Sequence, residues 1–266
     1  MRDYAVYIGA SAGRGAYSEA QQSALVLDTC RERLNTLFHG EKPNHFIFKL
    51  NCTDALTLAI PGLLFDSGHT ITTWMDHNSV LRPCNALAER RGLAVTHVEV
   101  DPVTCVVDPQ DIRKAIRPDT RLIAVVHGSN VTGTIQPIRE IGKIAREAGI
   151  PFLVDAAQTA GHVPLDVQAD CVDLLAFPGH KGLLGPLGTG ALYLLVGTPN
   201  ALNSASYQAP PSLTMEQALT ELRAHLQQQP NDLQGWMLLA QTSAMLRQPA
   251  DARDAFGHAL KLDPNN

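Results

Sequence analysis

The residues best equipped for chemistry lie in the stretch 176–193, AFPGHKGLLGPLGTGALY, where Lys181 occupies a glycine-rich turn between two apolar runs. An amine held by stiff backbone can form an imine with a carbonyl cofactor when its neighbours favour the unprotonated form. Taken alone, Gly-His-Lys-Gly more often marks a surface-turn lysine, so the case rests on what else the chain supplies. Further groups of matching kinds are spread along it. Thr53 and Asp54 open a helix after an apolar run and could receive an anion at its positive end, although both are also ordinary N-cap residues. His77 follows a strand and offers a flat ring, or simply a solvated turn histidine, and Asn130 ends another strand. Asp155 and Gln158 put an acid and an amide in one turn, where both could point into a single pocket.

The elements that would carry these groups alternate in type. A helix is predicted over 18–38, with Leu25, Leu27, Leu34, Leu37 and Phe38 among polar residues and Gly40 as its stop. A strand over 45–51 leads into a helix over 52–60. Lys49 sits awkwardly in a strand expected to be buried, and Pro61 must end or kink the helix. A strand from Thr70 reaches the polar turn at 76–78 before a helix over 83–91, and strand 94–100 and helix 109–115 follow. Strand 121–127 leads into GSNVTG at 128–133, helix 138–148 returns the chain to strand 151–155, and strands 172–177 and 190–196 flank Lys181. This alternation predicts an α/β architecture with a mostly parallel sheet covered by helices. Thr53, His77, Asn130, Asp155 and Gln158 would all lie at carboxyl ends of strands, where open α/β sheets bind ligands, and one pocket can collect them with Lys181. A single ligand suits the set: a helix N-terminus for phosphate, an imidazole face for a ring, an aspartate for a pyridinium nitrogen, amides for a phenolic oxygen and a lysine for an aldehyde. The aspartate keeps the ring nitrogen protonated, which makes the ring a sink for negative charge at a substrate's alpha carbon.

With these residues in place, the stretch 4–193 resembles the class V aminotransferase family of fold-type I pyridoxal phosphate enzymes, and within it the cysteine desulfurase and selenocysteine lyase branch. CTDAL at 52–56, Asp76-His77, SNVTG at 129–133, DAAQ at 155–158 and FPGHK at 177–181 carry the resemblance, in the family's order and at its spacing. It implies a three-layer large domain over 1–196, pyridoxal 5'-phosphate as cofactor, and an internal aldimine on Lys181, which also shuttles protons. It implies His77 stacked on the ring and assisting proton transfer, Asp155 on the ring nitrogen, and Gln158 and Asn130 on the ring hydroxyl side. Thr53, Asp54 and His180 would serve the phosphate. The substrate would be an amino acid such as cysteine, and the assembly a homodimer.

The sequence also departs from the family pattern. Nothing like the family's LDNAAT strand and turn precedes Tyr17. Past Tyr193 nothing corresponds to its small domain, which supplies an arginine for the substrate carboxylate and, in desulfurases, a sulfur-accepting cysteine; no cysteine follows Cys171. The expectation is a cofactor cradle without complete desulfuration.

Residues 197–213 read as a linker. Residues 214–266 resemble part of a tetratricopeptide domain. Trp236, Leu239, Ala240, Ala252, Phe256, Ala259 and Pro264 take the repeat's signature positions, and Ala218, Leu222 and Pro230 anticipate the last part of that pattern one unit earlier. The segment reads as the second helix of one repeat followed by a whole one, similar to the tetratricopeptide part of cytochrome c biogenesis proteins. That resemblance implies a peptide- or protein-binding module, marginal alone because such repeats bury their faces by stacking. An unrelated amphipathic hairpin is the alternative.

Composition bounds the remaining classes. A chain of 266 residues with a net charge of -5 and 45% hydrophobic residues gives no electrostatic reason for a nucleic-acid partner. Its apolar runs stop short of the ~20 residues a membrane helix needs, and MRDY opens no signal peptide. Five cysteines without a CxxC pair argue against a disulfide framework or structural zinc and suit a reducing cytoplasm. Two other functions stay open: a non-catalytic tetratricopeptide interaction protein carrying a remnant cofactor-binding domain, and an NAD(P)-binding dehydrogenase. The latter rests on Gly9, Gly13 and Gly15 after a possible strand at 4–8, with Asp28 downstream, but no Tyr-x-x-x-Lys pair accompanies them.

Overall fold

The computed structural model describes residues 4–12, 17–64, 68–195, 215–245 and 249–263. They fall in two compact units, Met1–Leu202 and Asn203–Asn266. In the first unit a long helix, α1 (Ser18–Phe38), precedes strand β1 (Phe46–Lys49) and helix α2 (Cys52–Leu63). Then come β2 (His69–Thr73), α3 (Asn78–Arg91), β3 (Ala94–Val98), α4 (Pro109–Ala115), β4 (Thr120–Val126), α5 (Ile138–Ala148), β5 (Phe152–Asp155), β6 (Leu174–Pro178) and β7 (Gly190–Leu194).

The strands form one seven-stranded sheet in the order β1-β7-β6-β5-β4-β2-β3. β2 to β6 run parallel, and β7 alone is reversed, pairing antiparallel with β6 and with β1. The sheet is mostly parallel, as the alternation predicts, and both faces are covered. Alternate residues of β4 show how: Leu122 and Ala124 face a core built with α2 and α3, whereas Ile123 and Val125 face a second core with α1, α4 and α5. The connection from β2 leads through α3 outward to β3, whereas that from β4 leads through α5 the other way to β5. This reversal between neighbouring strands opens a crevice at their carboxyl ends.

Several sequence-based expectations change. The strand over 45–51 is shorter, and as an edge strand bonded only to β7 it leaves Lys49 free to reach Asp54 at 3.2 Å. Pro61 does not end α2 but lies inside it, two residues before the helix stops at Leu63. α3 starts at Asn78 rather than near Pro83, because His77 caps it by accepting the Ser79 N–H. Residues 4–8 form a short π-helical turn outside the sheet, so the glycine fingerprint has no strand to follow; Gly13 and Gly15 lie outside the described residues.

The second unit contains α6 (Met215–Gln228), α7 (Leu233–Met245) and α8 (Pro249–Leu262). Its core is small: Leu226, Leu239, Ala240 and Ala255, with Leu222 and Trp236 packed on them. Trp236 stacks on His258 with ring centroids 4.2 Å apart and donates its indole N–H to the Pro230 carbonyl. The predicted linker at 197–213 and Pro264 lie outside the described residues. Among the described residues, no helix is long and apolar enough to cross a membrane.

Candidate active site

Lys181 follows β6 in a turn tied across itself. Leu184 N–H donates to the Lys181 carbonyl at 2.9 Å, Gly185 N–H to Gly179 at 2.7 Å, and Gly179 N–H to Thr189 at 2.7 Å. The turn also presses against the segment after β5. A Cβ on Gly182 would lie 2.4 Å from the Ala160 carbonyl oxygen, and one on Gly161, whose φ is +86°, would lie 2.6 Å from the Gly182 carbonyl. Only glycines permit that contact, and it fixes where the lysine stands.

Around it the carboxyl ends of the parallel strands line a cavity of about 120 Å³, partly open to solvent. Thr53, His77 and Asn130 line it, as do Asp155, Gln158, His180 and Lys181. These residues come from five separate segments of chain, gathered as the strand-end argument requires. Asp54 is the exception. Its carboxylate turns away, accepts the Leu50 N–H at 3.0 Å and pairs with Lys49, while its own N–H is capped by the Asn51 side chain. The Leu50 N–H, more than Lys49, holds its carboxyl below the usual range. The expected phosphate role for Asp54 therefore does not fit the geometry, because this side chain is spent closing the turn into α2.

The phosphate-type donors lie at the start of α2, where Cys52 and Thr53 line the cavity and first-turn N–H groups lack intrahelical acceptors. Nearby, His180 Nδ1 is buried with no hydrogen-bond partner among the described residues. A buried ring nitrogen without a partner is costly, and the His180 residue lines the cavity. A hydroxyl chain runs along one wall: Thr53 Oγ1 is 2.8 Å from Ser79 Oγ, which is 2.9 Å from His77 Nδ1. Because Nδ1 accepts the Ser79 N–H, its ring proton belongs on Nε2, so Ser79 donates to the imidazole and Thr53 donates to Ser79.

The floor is acidic and buried. Asp155, 2% exposed, accepts the Ala157 N–H at 2.9 Å and the Cys52 thiol at 3.2 Å, and burial pushes its carboxyl above the usual range against those donors. Asp76 lies deeper. Oδ2 accepts the Thr73 N–H and hydroxyl, and Oδ1 accepts the Val126 N–H at 2.6 Å, which ties the end of β2 to that of β4. Burial raises it to about 7. Sequence reasoning assigned no role to Cys52, Ser79 or Asp76. The Ser79 side chain was legible in principle as the third residue of a capping turn, whereas the other two act through tertiary contacts. No cluster of His, Cys, Asp and Glu among the described residues could hold a metal ion.

Comparison with known proteins points one way. Residues 1–233 match the family model described as aminotransferase class-V. A probable cysteine desulfurase of Methanothermobacter thermautotrophicus is 40% identical over 194 residues, covering 73% of this chain and 48% of the relative. Cysteine desulfurase IscS of Dictyoglomus turgidum is 40% identical over 182 residues, covering 67% of this chain and 45% of its own length. Among solved structures, the apo cysteine desulfurase of Thermococcus onnurineus NA1 superimposes with a TM-score of 0.68 at 36% identity, over 73% of this chain and 48% of that one. SspA in complex with cysteine gives a TM-score of 0.65 at 35% identity, over 69% and 53%. The chain thus spans about half the length of the curated relatives it matches.

Proposed function

The chain belongs to the class V aminotransferase family, and from that premise we propose that its α/β unit binds pyridoxal 5'-phosphate and acts on an amino acid such as cysteine, in the manner of a cysteine desulfurase. The observation that carries this reading is the single cavity in which Lys181, the buried Asp155 and His180 meet the start of α2. The donor set fits the cofactor's parts. The N–H groups of α2, the Thr53 hydroxyl and His180 suit its phosphate, with Thr53 turning its hydrogen away from Ser79 to do so. Asp155 suits a protonated ring nitrogen, His77 a ring face, and Asn130 and Gln158 the phenolic oxygen.

When bound, the cofactor supplies an electron sink for negative charge at a substrate's alpha carbon. The chain's own work is positional and protolytic. The Lys181 turn, positioned by the apposed glycines, would hold the amine toward the cofactor's aldehyde, and the same amine would carry a proton to or from a substrate's alpha carbon. His77 keeps an N–H at Nε2 because Nδ1 is occupied by Ser79, and so presents a donor rather than a second acceptor. Asp155, itself almost fully buried, would hold its acceptor against a ring nitrogen.

The small helical unit fits a partial tetratricopeptide module for a peptide or protein partner. The packing of α7 on α8 around a core that contains Ala240 and Ala255 supports that assignment. A homodimer of the α/β unit and a cytoplasmic location complete the proposal. An absorbance scan tests its core: added pyridoxal 5'-phosphate should give a visible-edge band that borohydride bleaches and that Lys181→Ala lacks. A chain that gains no band with added cofactor overturns the enzyme reading and favours the interaction protein.

A further inference from the structure

The cavity floor holds a group that the proposed mechanism does not use. Cys52 is the first residue of α2, and its side chain is 7% exposed, so the helix start gives the thiol little freedom. Its Sγ lies 3.2 Å from Asp155 Oδ1, and the Ala157 N–H reaches that same oxygen at 2.9 Å. Both of these donors end on one carboxylate oxygen, so the plane of the carboxylate is set by the protein and the other oxygen is left for the cavity that Asp155 lines. Burial, and after it the Asp155 charge, push the thiol well above its ordinary range. At neutral pH the group is an S–H donor and not a thiolate. It is therefore a poor sulfur acceptor or nucleophile, both of which need the thiolate.

We propose that Cys52 is a positioning residue for the cofactor's ring nitrogen: its thiol clamps Asp155 Oδ1, so that Oδ2 is presented to the ring in a fixed orientation. This rests on the cofactor reading above. The competing role is packing, since Cys52 also belongs to the apolar cluster between α2, α3 and the sheet. Packing depends on volume, whereas a clamp depends on a donor, and substitutions separate the two.

The full chain is titrated with pyridoxal 5'-phosphate while the visible band and its pH dependence are followed. Cys52→Ala should weaken cofactor binding roughly fivefold, about the weight of one neutral hydrogen bond, and shift the band or its pH midpoint. Cys52→Ser, which keeps a donor, should restore both to near wild type. A Cys52→Ala chain with unchanged affinity and spectrum, or Ser and Ala variants equally impaired, overturns the clamp. A reading that needs neither cofactor nor a foldable alanine variant is the infrared S–H stretch. Wild type minus Cys52→Ser should reveal a lowered, hydrogen-bonded frequency that moves on Asp155→Asn, and a frequency indifferent to Asp155 also overturns the clamp. If the wild-type chain takes up no cofactor, the functional proposal itself fails and takes the clamp's purpose with it. A chain that binds cofactor identically with and without the thiol sinks the clamp alone.

Discussion

The floor and the rim of the cavity are built differently. Asp155 and Cys52 on the floor, and Asp76 behind them within reach of the Asp155 charge, are at most 7% exposed, and each is held by hydrogen bonds within the chain. Lys181, His77, Thr53 and Asn130 on the rim are exposed, and apart from the Thr53–Ser79–His77 chain they have few fixed partners. Floor groups are oriented before any ligand arrives, so no reorganisation is needed when charge appears beside them. Rim groups take their roles from what they touch. Removing a floor residue should therefore disturb both fold and binding, while removing a rim residue should disturb binding alone, except at His77, which also caps α3.

The largest break is expected at Asp155. Asp155→Ala should weaken cofactor affinity on the order of 100-fold, the scale of a lost charge-assisted hydrogen bond, as read by absorbance titration. A change below threefold would place the ring nitrogen elsewhere. Asp76 should show in stability. Its folded-state value of about 7 lies above the roughly 4 of an unfolded chain, so the native state binds the extra proton between them. The stabilisation is complete below about 4 and is lost as pH rises through about 7, so wild-type stability should fall across that window. Denaturant midpoints should decline from pH 5 to pH 8 in wild type and less steeply in Asp76→Ala, which should also be less stable by about 2 kcal/mol at pH 5 because it strands the Val126 and Thr73 N–H groups. Parallel pH curves in the two proteins would remove Asp76 from the account.

On the rim, Thr53→Ala and His180→Ala should each weaken pyridoxal 5'-phosphate roughly five- to tenfold while leaving unphosphorylated pyridoxal almost unaffected. Equal losses for both ligands would move the phosphate away from the start of α2. The smallest effect is expected at His77. His77→Ala should cost binding only about threefold, the weight of a ring stack, with a drop in stability of about 1 kcal/mol from the lost α3 cap. His77→Asn, which keeps a capping acceptor, should recover the stability but not the binding, and recovery of both would remove the ring stack from the account.

The rim was more legible in sequence than the floor. Lys181, His77 and Asn130 announce themselves, and on the floor Asp155 alone does, because turns at strand ends carry polar residues that period-2 apolar runs do not. Helices α1, α4 and α5 were also readable, since Gly40, Pro109 and Gly149 punctuate them. The ends of α2 and α3 were misread because Pro61 and Pro83 are strong local signals that tertiary packing of Ile60, Val80 and Cys84 outweighs. Asp54 looked like a ligand contact from its place at a helix start, yet the Leu50 N–H beside it claims the carboxylate. Asp76 bonding to Val126 and Cys52 bonding to Asp155 join residues far apart in sequence, and no spacing rule encodes such contacts.

The central claim is that Lys181 is the point at which this chain holds an aldehyde cofactor. Saturation of the full chain with pyridoxal 5'-phosphate, borohydride reduction and peptide mapping test it directly. The account predicts one stoichiometric reduced adduct, on Lys181, which is lost in Asp155→Ala at limiting cofactor. Modification spread over Lys42, Lys49, Lys114, Lys143 and Lys261 with no preference for Lys181 would contradict it.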